Sequence, residues 1–256
     1  MMNLTRSSNP VLKENVFSRD YSYNTEVMTI NGTINKTALM LLIVIAAAIF
    51  VWNKFFAAIQ VNPEGGAAAV MPWVIGGGIG GLITALVTAF RPKSSGISAP
   101  IYAIFQGLLL GGISALFESM YPGLVMRAVL LTLAVFFAML FLYRSGIIKV
   151  TQKLKMGIFA ATAGIAVVYL VSFIGGLFGM EFSFLHGNSN LSIGISLVIV
   201  AVAALNLVLD FSFIEEAAGA GAPKYMEWYG AFGLMVTLIW LYLEILRLLS
   251  KLASRN

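Results

Sequence analysis

Seven apolar runs dominate the chain, at about 37–58, 66–90, 97–117, 123–143, 156–178, 190–211 and 228–250, after 36 polar N-terminal residues. None shows the strict polar/apolar alternation of a half-buried strand. Each run is roughly 20–25 residues, enough for one tilted helix across about 30 Å of hydrocarbon. Between them lie turn-forming segments such as Asn62-Pro63-Glu64-Gly65, Arg91-Pro92-Lys93-Ser94-Ser95-Gly96 and Gly219-Ala220-Gly221-Ala222-Pro223. Such short connections make successive helices antiparallel neighbours. The pattern predicts an all-α polytopic membrane protein, a seven-helix transmembrane bundle over 37–256 with a polar tail over 1–36 and no extramembrane domain. The tail lacks the apolar core and small-residue cleavage site of a signal peptide.

Composition agrees and removes most chemistry. Hydrophobic residues make up 59% of the 256 and charged ones 11%, with a mean hydropathy of +0.91, against about 45–50% and roughly 25% in soluble domains. A water-soluble enzyme is excluded. The chain has no cysteine and one histidine, His186, in a loop and expected to be solvated. No cofactor is expected. The net charge of +5 comes from basic residues flanking the runs, where they set topology, so nucleic acid is not an expected partner. With the N-terminus inside, Arg6, Lys13, Arg19, Lys36, Arg91, Lys93, Arg144, Lys149, Lys153, Lys155 and Lys224 face the cytoplasm, eleven of the sixteen bases. Lys54, Arg127, Arg247, Lys251 and Arg255 then lie outside. This predicts a cytoplasmic N-terminus and an outer C-terminus in a bacterial inner (plasma) membrane, unless a re-entrant seventh segment returns the basic end to the cytoplasm.

A carboxylate within a span costs a few kcal/mol and needs a reason. Asp210 closes the sixth run. It reads either as an interfacial acid whose helix frays through Glu215 and Glu216, or as a functional acid sharing its side with Arg91, Lys93 and Glu227. Glu244 lies inside the seventh run. It reads either as half of a local pair with Arg247, three residues on, or as part of an outer charged cluster of Glu118, Arg127, Glu244 and Arg247. Gln106, Asn206 and Thr237 suit interhelical hydrogen bonding better than ion coordination. The glycines at 76, 78 and 81 spell G-x-G-x-x-G, but within an apolar run and not between a strand and a helix, so no nucleotide site follows. Gly76/Gly80, Gly77/Gly81 and Gly107/Gly111 are small-xxx-small pairs that let helices approach. Trp52, Trp73, Trp228 and Tyr229, near run ends, suit an interfacial belt.

Seven spans, the aspartate ending the sixth, Arg91-Pro92-Lys93 before the third, and Met226-Glu227-Trp228-Tyr229 through Trp240-Leu241-Tyr242-Leu243-Glu244-Ile245-Leu246-Arg247 together resemble the Bax inhibitor-1 superfamily, in its bacterial YccA-like branch, over about 36–252. The resemblance implies a bundle whose last helix is central and wrapped by the other six. It also implies a pH-sensitive calcium leak channel, in which an aspartate pair on helices six and seven senses protons and a helix-two arginine latches onto it. Asp210 matches the first aspartate and Arg91, or Lys93, the base. The second aspartate falls on Thr237, with Glu244 seven residues further, about 10 Å along a helix. Threonine offers a cation an oxygen but does not titrate near neutrality.

The leading expectation is therefore passage of calcium or protons through a bundle gated at a cytoplasmic Asp210/Arg91 pair, with Asn206, Thr237, Lys93 and Glu227 nearby. The alternative is an interaction protein that modulates membrane proteolysis or stress survival through a membrane protease partner. An intramembrane enzyme is not expected, because no Ser/His, H-E-x-x-H or Gly-x-Gly-Asp grouping exists.

Overall fold

In a computed structural model, which describes residues 26–180, 182, 185 and 187–255, every apolar run is one helix. These are α1 (Ile30–Val61), α2 (Gly65–Phe90), α3 (Ser95–Met120), α4 (Leu124–Arg144), α5 (Gln152–Leu177), α6 (Asn190–Gly219) and α7 (Met226–Ala253), with a 3-10 turn at Pro92–Ser94. All seven are long and apolar enough to cross a membrane. Most of the tail, and His186, lie outside the described residues.

The starts of three helices have a local cause. Thr29, Thr151 and Ser189 adopt extended backbone, and their side-chain oxygens accept the N–H of Gly32, Leu154 and Ser192, which begins α1, α5 and α6. Because Thr29 caps α1, the last residues of the expected polar tail are already helical. Glu118 stops α3 and starts α4 together: its carboxylate accepts Gly123 N at 2.6 Å and Val125 N at 3.1 Å across the turn.

Hydrocarbon gives helices no hydrophobic reason to associate, so close packing through small residues holds such a bundle. A Cβ on Gly77 would meet the backbone of α3 at Phe105 and Leu109, and one on Gly107 would meet that of α1 at Val44. Gly111 faces Ala48 in the same way, Gly81 faces Gln106 and Gly80 faces the Phe105 ring, whereas Gly76 faces open space. The glycine pairs thus join α1, α2 and α3 into one tight group.

α7 is the centre. It packs on α1, α3, α4 and α6, while α2 lies outside on α1 and α3, and α5 lies outside on α6. Four helices pack closely on it, and α5 reaches it through the Tyr169 side chain. The two main core clusters both converge on it, one with α4 and α6 around Leu207, Phe211 and Leu241, the other with α1 and α3 around Met40, Tyr102 and Met235. At 28 residues α7 is about 42 Å long, beyond the ~30 Å of hydrocarbon, and it is unbroken.

α6 departs from expectation. It does not fray after Asp210 but continues to Gly219. Its polar end is held from the side: Tyr143 donates to Glu215, Lys155 pairs with Glu216 at 2.7 Å, and Ser212 donates to Glu216 at 2.6 Å. Asp210 consequently sits nine residues inside the helix, not at its end.

Candidate functional site

Asp210 projects from α6 toward α7. Gly233 opposite it leaves room, since a Cβ there would stand 4.0 Å from Asp210 Oδ1. One turn further along α7, Thr237 neighbours the carboxyl group, and its hydroxyl donates to the Gly233 carbonyl at 3.4 Å. Asp210 Oδ2 is buried and has no hydrogen-bond partner among the described residues. Buried polar atoms are nearly always satisfied, so this oxygen calls for an explanation.

The base expected beside it is elsewhere. Arg91 ends α2 and Lys93 lies in the following turn; both are exposed, and among the described residues neither is within ion-pair distance of an acid. Asp210 and Arg91 do not pair in this structure. Asn206, one turn before Asp210, gives its amide protons to Thr162 of α5 at 2.8 Å and to the Val202 carbonyl at 2.9 Å. Gln106 lies against Gly81 of α2. Of the expected pathway residues, only Asp210 and Thr237 meet.

Glu227 belongs to a separate clamp. Its side chain is fully buried at the start of α7, where it pairs with Lys36 of α1 and accepts Thr29 N and Thr29 Oγ1, both at 2.9 Å; Lys224 stands 3.7 Å away. A Cβ on Gly32 would overlap this carboxylate, so a larger residue there forces Glu227 out of the clamp. The segment before α1 is tied to the α6–α7 loop by Met28 N to Ala222 O at 2.7 Å and Lys224 N to Glu26 O at 2.9 Å. Residues 26–36, placed by composition in a polar tail, therefore anchor the central helix.

The outer four-residue cluster is not one network. Glu118 caps α4, and Arg127 is exposed. Glu244 is buried and makes the local pair with Arg247 at 3.2 Å, and Tyr169 of α5 joins both, donating to Glu244 at 2.8 Å and accepting from Arg247 at 2.6 Å. Lys251 extends this column and was not singled out as a site. Its buried ammonium donates to Leu185 O at 2.6 Å, Ser192 Oγ at 2.8 Å and Ser196 Oγ at 2.7 Å, with Ser192 O at 3.4 Å, all of them neutral acceptors. The signal was present: Glu244, Arg247 and Lys251, spaced three and four apart, share one helical face.

Comparison with known families decides the kinship, since the family model described as Bax inhibitor 1 like matches residues 9–254. The chain belongs to the Bax inhibitor 1 like family. Neither the comparison with curated proteins nor that with solved structures yields a match. In this family member, Thr237 stands opposite Asp210, on the face of α7 where the resemblance places a second aspartate. The facing pair here is one carboxyl and one hydroxyl, and Glu244, engaged with Tyr169 and Arg247, does not take the missing position.

Proposed function

We propose that this Bax inhibitor 1 like protein is a passive ion pathway of a bacterial inner membrane, with its N-terminus cytoplasmic, conducting calcium or protons past Asp210. It is not an enzyme in this reading. The observation that carries it is the buried Asp210 Oδ2 with no partner among the described residues. An acid inside a span is expensive and marks ion or proton routes.

The donor set suits passage better than storage. Calcium takes about six to eight oxygens, of which Asp210 supplies two and Thr237 one. Water and backbone carbonyls make up the rest, a weak site of the kind an ion can leave. One titratable group in place of two makes the pH response that of a single carboxyl. Arg91, exposed at the end of α2, is the base available to close on Asp210 if α2 moves. Reconstitution of wild type and Asp210→Ala in calcium-loaded vesicles tests the proposal. Altered efflux in the variant supports it, and equal efflux at every pH from 6 to 8 refutes it.

A further inference from the structure

A crevice of about 430 Å³ opens sideways between α1 and α4, which do not pack against each other, and α7 forms its floor. Ile45 and Ile49 on one rim and Leu133 and Phe137 on the other are exposed on the bundle's flank. Leu238 and Ile239 line the floor, each 7% exposed, above the fully buried Met235. Along α1 the lining runs from Thr37 to Trp52, about 22 Å at the helical rise.

The walls exclude water by chemistry. The hydroxyls among them are committed internally: Thr37 donates to Thr33 O at 2.9 Å, Thr132 to Ala128 O at 2.7 Å, and Ser114 and Tyr242 bond each other at 2.7 Å. A water needs two to four polar partners to occupy a cavity, and an apolar cavity stays dry. No charged side chain lines the space, so a lipid headgroup has nothing to bind. A protein helix does not fit either: at about 10 Å across and 20 Å long it needs well over 1,000 Å³. What remains is a slender apolar chain. The crevice opens among side chains that face hydrocarbon and is longer than one leaflet's share, about 15 Å, of the bilayer core.

We propose that this crevice is a binding site for a single lipid acyl chain, which enters between α1 and α4 and lies directly on the central helix. The chain fills the gap that α1 and α4 leave. Its occupancy bears on Leu238 and Ile239, the two residues after Thr237, so bilayer composition has a direct contact with the helix that faces Asp210. The site itself does not depend on the ion-pathway reading.

The test is photolabelling of the full chain in phosphatidylcholine vesicles containing a phosphatidylcholine with a diazirine on one acyl chain, with adducts located by tandem mass spectrometry. Adducts are expected on Leu238 or Ile239 as well as on outward-facing Phe159 and Phe173 of α5. Ile45→Trp and Val129→Trp, which place bulk at the rim on partly exposed positions, are expected to abolish the α7 adducts and leave the α5 adducts unchanged. Labelling confined to outward-facing residues, or α7 labelling unchanged in both variants, overturns the proposal.

Discussion

Replacing Lys36 by methionine keeps the side-chain length and removes the charge facing Glu227. Breaking a buried ion pair costs about 3–5 kcal/mol, because one charge remains desolvated without its partner. Here the cost falls lower. The Lys36 side chain is 18% exposed, Lys224 still stands 3.7 Å from the carboxylate, and two hydrogen bonds from Thr29 persist. About 2–3 kcal/mol is expected, a loss of about 4–12 °C in Tm at roughly 2–4 °C per kcal/mol. The internal control is Lys155→Met, which breaks the exposed pair with Glu216, of a kind worth about 0–1 kcal/mol. Adding Glu227→Gln to Lys36→Met removes the orphaned charge and is expected to restore part of the loss. The assay is thermal unfolding of purified protein in one detergent. The reasoning is refuted if Lys36→Met and Lys155→Met lower Tm equally, or if the double variant is less stable than Lys36→Met alone.

Three further outcomes follow from the packing. Gly32→Ala puts a methyl group where the Glu227 carboxylate sits, so it should lower Tm at least as much as Lys36→Met, whereas Gly76→Ala, which faces open space, should change Tm little. Gly107→Leu forces α1 away from α3 at Val44 and should destabilise by more than about 2 kcal/mol or prevent accumulation of folded protein, measured by detergent-resistant size-exclusion behaviour. Deletion of residues 1–25, which spares Thr29, Gly32 and Lys36, separates the two readings: loss of a co-purifying membrane protease with ion flux intact would favour the interaction reading, and altered flux the ion pathway.

The sequence made the spans legible because about 20 uninterrupted apolar residues have little alternative to a membrane helix. It was less informative at their ends. Hydropathy reports contact with lipid, not helix continuity, so α1 before position 37 and α6 after position 211 were invisible to it, although Thr29 at the α1 start and the Tyr143 and Lys155 partners of Glu215 and Glu216 hold both segments helical. The meeting of Asp210 with Thr237 was legible only through the family resemblance, in which the second aspartate falls on Thr237. Which polar groups would be used up elsewhere was not. Asn206 turning to Thr162, Gln106 to Gly81 and Glu118 to the α4 cap depend on which helices neighbour one another, and hydropathy carries no such information.

If Asp210 is the titrating group of an ion pathway, as proposed, calcium efflux from vesicles at pH 6 and pH 8 reports it, compared between wild type and Asp210→Asn, which keeps the side-chain volume and removes the titration. Efflux is expected to differ between the two pH values in wild type and to be the same at both in Asp210→Asn. Wild type that conducts at neither pH, or a pH difference retained in full by Asp210→Asn, would contradict it.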